Sequence, residues 1–291
     1  MDLTDWQSPE RDPSIGQSLA GMDASTPGAN THLATLTRAI ETEVIPRLLR
    51  ARRPNATGRA GWMPDAGEVD HFARLLIDRE EDLAFRHLQA LIGQGVPLET
   101  LYGTLLSGAA LHLGRLWEED LVDFTAVSTG VWRLQKMLRQ FSDDFVGPDT
   151  AASGVHRILL MPMTGGQHSF GLALVAEYFR RARWDVACEI ARSEAELVAF
   201  VGESRFDVLG LSVGSDQQLD ALTRTIAAVR RRSVNPRITV MVGGPIFVMN
   251  PGLAAQVGAD ATTADAAQAP GEAARLVATA IGQSYAQAAS A

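Results

Sequence analysis

One histidine carries the most specific chemistry that this sequence offers. His168 stands in the segment Thr164-Gly165-Gly166-Gln167-His168-Ser169-Phe170-Gly171. A neutral imidazole is a good ligand for a transition metal such as cobalt or iron. The glycines before it let the chain turn sharply, and Gly171 lets a following helix pack closely. Small residues recur further on, in Leu211-Ser212-Val213-Gly214-Ser215, in Val242-Gly243-Gly244-Pro245, and at Thr263-Ala264 after Gly258-Ala259-Asp260. Taken alone, a loop histidine is more often structural than ligating. A glycine-rich strand-to-helix loop can equally hold phosphate.

The elements that must position these residues are legible in the hydrophobic rhythm. Apolar runs at Arg157–Met163, Asp185–Ile190, Val208–Ser212 and Ile238–Val242, with a weaker one at Asp260–Thr263, read as five strands. Helical stretches lie between them at Gly171–Ala182, Glu194–Gly202, Gln218–Arg232 and Gly252–Val257, and a last helix spans Gly271–Ile281. Strands each followed by a helix specify a doubly wound parallel sheet, Rossmann-like or flavodoxin-like. Ligands in such sheets bind beyond the carboxyl ends of the strands. The loops to read are therefore 164–170, 213–217, 243–250 and 263–268, where the histidine and the small residues stand.

The chain ahead of this region is helical. Val69, Phe72, Leu75 and Leu76 mark one helix, and Leu83, Phe85, Leu88, Leu91 and Ile92 the next. Gly93 and Gly95 close that helix; Pro97 opens a third through Leu116, and Phe124–Phe141 forms a fourth. Four helices with short connections make a bundle. The expected organisation is an arm over 1–31, a helix and loop over 32–64, a bundle over 65–145 and a linker over 146–155. The sheet domain then occupies 156–284, with a tail over 285–291. Leu33, Leu36, Ile40, Val44, Leu48 and Leu49 have helical spacing, broken by Pro46, and residues 52–67 read as a loop.

Composition excludes several classes. The formal charge of −8 argues against a basic nucleic-acid face and suits a protein partner. The basic run Arg230–Arg232 reads as the end of a solvated helix. The single cysteine, Cys188, forbids an internal disulfide, and its apolar neighbours predict a buried, structural thiol. The start of the sequence lacks the basic and apolar regions of a signal peptide, and no apolar stretch approaches about 20 residues, so a cytoplasmic protein is expected. No Ser-His-Asp grouping, metal pair or phosphate-binding P-loop occurs, which speaks for a binding protein over an enzyme.

Read together, the loops resemble the signature of cobalamin-binding domains, Asp-x-His-x-x-Gly followed by Ser-x-Leu and Gly-Gly at later strand ends. Gly166 to Gly171, Ser212 to Gly214 and Gly243-Gly244 stand at those places. The resemblance implies that His168 is the lower axial ligand of cobalt. It also implies that Gly166, Gln167, Ser169, Phe170, Gly171, Ser212, Val213, Gly214, Ser215, Gly243, Gly244, Pro245, Thr263 and Ala264 line the cofactor. Leu113-Gly-Arg-Leu-Trp117-Glu118 is similar to the Gly-x-x-Trp-Glu segment of bundles that cap a corrin. That similarity implies upper-face contacts from Leu113, Trp117, Phe124 and Val127, with Glu118, Glu119 and Asp120 forming a solvated helix end.

A narrower resemblance, through Asp120–Gln135 and Glu43-Val-Ile-Pro-Arg47, is to the AerR/PpaA-type antirepressors, whose haem-or-cobalamin sensor domain is shared with AppA. It implies a photoreceptor that binds cobalamin, in a hydroxo, aquo or adenosyl form, and relieves repression of photosynthesis genes by a partner repressor. Three departures shape the expectation. Gly166 replaces the family's Asp, and loss of such an orienting carboxylate costs about 10–100-fold in metal affinity. Val127-Ser128 replaces a Glu-His pair, and Gly214 replaces a Leu. His168 is thus expected to be a switchable ligand. A haem or redox sensor, a corrinoid shuttle serving a methyltransferase, and a doubly wound domain without metal remain the alternatives.

Overall fold

The computed structural model describes residues 61–80, 82–147, 156–164 and 170–289. The chain divides into two units, Met1–Pro54 and Asn55–Ala291, and all described residues belong to the second. The expected arm over 1–31, the helix over 33–49, residues 165–169 and most of the linker lie outside the described residues.

The helical part comprises α1 (Ala66–Ile77), α2 (Leu83–Gly93) and a long helix opened by Pro97. That helix runs as α3 (Leu98–Thr100), a π-helical stretch (Leu101–Leu106) and α4 (Ser107–Glu118). α5 (Phe124–Gln140) and the short α6 (Ser142–Val146) complete it. Aspartates set two of the starts. Asp65 Oδ1 accepts from Glu68 N–H at 2.8 Å, and Asp123 Oδ1 from Ala126 N–H at 2.7 Å. Phe72, Leu76, Leu88, Leu101, Leu105, Leu113, Leu134 and Leu138 fill the core. The buried Arg133 donates to the carbonyls of Leu76 and Asp78, which α1 leaves free at its C-terminus.

Five parallel strands follow: β1 (Arg157–Pro162), β2 (Asp185–Cys188), β3 (Val208–Ser212), β4 (Thr239–Gly243) and β5 (Ala261–Thr262). Their order, β2-β1-β3-β4-β5, is that of the flavodoxin-like doubly wound sheet, with its switch point between β1 and β3. Alternation along each strand serves two layers. Leu159 and Met161 pack beneath α8 (Glu194–Glu203) and α9 (Leu219–Arg232). Ile158 and Leu160 pack beneath α7 (Phe170–Arg181) and α12 (Ala269–Ala289). Between β4 and β5 lie the short α10 (Pro245–Met249) and α11 (Leu253–Gln256). As the basic run predicts, Arg230–Arg232 ends α9, where Arg230 meets Asp260 at 2.9 Å.

Two expectations need correction. Cys188 is exposed rather than buried, because β2 is an edge strand with only β1 beside it. Its thiol lies 4.0 Å from the Arg180 guanidinium, and neighbouring protein atoms still push its pKa up. The last helix begins at Ala269 and continues to Ala289, beyond the expected Gly271–Ile281. Pro270 occupies its first turn, where a missing N–H costs nothing. No helix among the described residues is long and apolar enough to cross a membrane.

α7 joins the two layers of this unit. Leu172, Ala176 and Phe179 face the sheet, whereas Phe170, Leu174 and Tyr178 belong to the bundle core. Tyr178 meets Phe145 edge-on at 5.2 Å, and Phe145 stacks on Tyr102 at 4.3 Å. Glu177, 4% exposed, is satisfied on both oxygens, by Ser142 Oγ at 2.6 Å and Arg180 Nη1 at 2.7 Å. Burying a polar group costs free energy unless partners such as these satisfy it.

Candidate ligand-binding edge

The carboxyl ends of β1, β3 and β4 finish level with one another. Pro162 pairs with Ser212 and Ser212 with Gly243, while Val242 pairs with Thr262 on β5. The ladder continues one step into the loops, through Met163 N–H to Ser212 O at 2.8 Å and Val213 N–H to Gly243 O at 2.9 Å. The loops expected to bind a ligand are therefore neighbours on one edge. Val213 is buried beneath it, whereas Ser212, Ser215 and Thr263 are half-buried and Gly171, Gly214, Pro245 and Ala264 exposed.

Glycine is required at the centre of this edge. Gly244 has φ +121°, and a Cβ there would lie 2.1 Å from the carbonyl oxygen of Val213. No L side chain fits, so the loops after β3 and β4 touch backbone to backbone. Gly243, next to it, has no atom within 4 Å of where its Cβ would stand. That open space is a cradle that any larger residue would fill.

Two further residues shape the edge, and neither was among the sequence candidates. Gln218 Oε1 accepts from Gly214 N–H at 2.9 Å and Ser215 N–H at 3.4 Å, and Ser215 closes a capping box with it. The Ser-x-x-Gln spacing of Ser215 and Gln218 is the signal that identifies it. Thr262, the last residue of β5, holds a buried hydroxyl without a hydrogen-bond partner. A polar residue ending an apolar strand beside Gly243 is its only trace in the sequence. Thr262 pairs with Val242, so its side chain lies on the α8–α9 face of the sheet, where an orphaned buried hydroxyl is costly.

Gly166, Gln167, His168 and Ser169 lie outside the described residues, between Thr164 and Phe170. Among the described residues no group of three or more His, Cys, Asp or Glu is placed to hold a metal. Phe170, expected at the ligand, instead packs in the bundle core at the start of α7.

The upper-face candidates divide. Trp117 is 51% and Phe124 61% exposed, on either side of the α4–α5 turn, and Leu121 between them is exposed too. Val127 is half-buried, one turn further along α5. Leu113 has no exposed surface and packs in the core, against the small face of Gly130, so it serves the bundle itself. Glu118, Glu119 and Asp120 are exposed, as expected of a solvated helix end.

Residues 157–274 match the B12 binding domain family. Over 184 residues the chain is 26% identical to an uncharacterized 20.5 kDa protein in the bchF-crtJ intergenic region of Rhodobacter capsulatus, covering 63% of this chain and 94% of that protein. Among solved structures, the monomethylamine corrinoid protein of Methanosarcina barkeri superposes with a TM-score of 0.59 at 14% identity. The match covers 72% of this chain and 98% of that one, and shows a shared fold.

Proposed function

We propose that this corrinoid-binding protein, whose residues 157–274 match the B12 binding domain family, is a cobalamin-dependent light sensor. It would act as an antirepressor on a partner repressor of photosynthesis genes, in the cytoplasm, without catalytic turnover. The similarity to a protein named for its place between bchF and crtJ supports the comparison with the AerR/PpaA-type antirepressors.

The edge of the sheet suits the cofactor. Gly243 leaves space for a long substituent such as the nucleotide tail, and Gly244 brings two backbones together beneath it. His168 would supply the lower axial ligand from the adjoining loop, with Gly166, Gln167 and Ser169 around it. Trp117, Phe124 and Val127 would rest on the upper face. Bound cobalamin would supply a light-sensitive cobalt centre.

One observation carries the sensor reading over a carrier. Loop 165–169 leads directly into Phe170, which with Leu174 and Tyr178 forms part of the bundle core. A change of ligation at His168, two positions ahead of Phe170 in the sequence, would act next to a helix that the bundle grips. The net charge of −8 fits a protein partner for that surface.

The test loads the purified chain with hydroxocobalamin, adenosylcobalamin or haemin and records its absorption spectrum in darkness and after illumination. Amide hydrogen exchange follows α4, α5 and α7 in parallel. The reading expects a retained corrinoid, a light-dependent spectrum and faster exchange in these helices after light. Retention of haem alone would overturn it. A corrinoid spectrum indifferent to light would remove the sensory role.

A further inference from the structure

The helix that bears Trp117 changes its winding partway along. Leu98–Thr100 is α-helical, Leu101–Leu106 π-helical, and Ser107–Glu118 α-helical again. A π turn holds one residue more than an α turn, is uncommon, and often marks a functional position. The apolar pattern does not demand it. Leu101, Tyr102, Leu105, Leu106, Ala109 and Leu113 are all buried. At the step of about 100° per residue in a regular α-helix they would also fall within one arc of about 140°. Either winding buries this stripe.

One side-chain contact has the spacing of the wider one. Ser107 Oγ donates to the carbonyl of Tyr102, five residues back, at 2.7 Å. Thr104 Oγ1 donates to the carbonyl of Thr100 at 2.5 Å. The Tyr102 ring is fixed by its stacking on Phe145, and its hydroxyl donates to Leu138 O at 3.0 Å. Gly103 leaves room for α7, since a Cβ there would stand 3.1 Å from the Tyr178 hydroxyl. The π stretch thus touches the helix that begins at the proposed cofactor loop, and its other end leads to Trp117.

We infer that Ser107 is a positioning residue: it holds the π turn open, and the turn sets the face on which α4 presents Trp117 to the bound cofactor. This rests on the cobalamin reading above. Loss of the extra residue from that turn rotates everything downstream by about 100° relative to α3. Trp117 then leaves the exposed position it holds beside the α4–α5 turn.

The test uses the full chain with fluorine-labelled tryptophan. Five tryptophans give five fluorine resonances, and a Trp117→Phe variant identifies that of Trp117. Ser107→Ala is expected to move the Trp117 resonance in the ligand-free protein and to leave that of Trp184, in the sheet domain, unchanged. Ser107→Thr, which keeps the hydroxyl, is expected to restore it. Hydroxocobalamin affinity should fall about two- to tenfold in Ser107→Ala, the range one hydrogen bond spans. In a Trp117→Ala background the same change should have no further effect. An unmoved Trp117 resonance, or an equal loss of affinity in both backgrounds, would overturn the inference. A wild-type chain that binds no hydroxocobalamin would sink the functional reading, while the fluorine spectra would still decide the role of Ser107.

Discussion

The carbonyl oxygen of Val213 lies 2.1 Å from the point a Cβ would occupy on Gly244, so the loops after β3 and β4 meet with no room for a side chain. Gly244→Ala therefore has two costs, a left-handed φ of +121° and a clash with rigid backbone. The strain alone is worth about 1–3 kcal/mol. Both the thermal midpoint and hydroxocobalamin affinity are expected to fall, as calorimetry and a spectroscopic titration would show. Gly243→Ala, which meets no atom within 4 Å, should leave the midpoint nearly unchanged. Gly243→Leu should abolish binding while the protein stays folded.

Trp117 and Phe124 separate stability from binding. Both are more than half exposed, so alanine at either should change stability by no more than about 0.5 kcal/mol. Each should nevertheless weaken cobalamin binding and shift the corrin absorption bands. Urea titration and absorption spectroscopy on the same preparations check the two halves of this prediction. A large loss of stability without a spectral change would return both residues to the bundle.

The junction between α7 and the bundle should respond to truncation. Leu174→Ala removes a buried side chain from the bundle core, a change that typically costs about 2–5 kcal/mol. Hydrogen exchange should then accelerate in both α7 and α5, because α7 loses its grip on the bundle. Exchange confined to α7 would contradict the coupling.

Alkaline pH probes the same junction. Burial, reinforced by the nearby Glu99 carboxylate, pushes the Tyr178 hydroxyl from an ordinary value of 10 up to about 12. The folded state thus favours the protonated phenol more than the unfolded state does. The corresponding stability is present below pH 10 and is lost as pH rises from 10 to 12, by about 2–3 kcal/mol. Tyr102 is shifted upward for the same reason. Urea midpoints between pH 8 and 12 should fall more steeply for wild type than for Tyr178→Phe.

Much of this was legible in the sequence because the physics that forms it is local. Ile158 and Leu160 alternate with Leu159 and Met161, which announces a strand buried on both faces. Gly243-Gly244 at a strand end announces close backbone approach. The exposure of Cys188 was not legible, because an edge position depends on strand order, which no local pattern encodes. Nor was the place of Phe170 in the bundle core. A helix apolar on both sides, as α7 is with Phe170, Leu172, Leu174 and Phe179, signals burial from two directions without naming the second partner. The π stretch was hidden for a related reason, since its apolar stripe suits an ordinary α-helix equally well.

The account turns on His168 and its loop at the carboxyl edge of the sheet. The most direct measurement is the absorption spectrum of hydroxocobalamin bound to the wild-type chain and to His168→Ala, recorded in darkness and after light. The account predicts that wild type retains the corrinoid and that its spectrum differs from the variant's in at least one of the two states. Identical spectra for the two proteins in both states would contradict ligation by His168, and failure of the wild-type chain to retain the corrinoid would contradict the site.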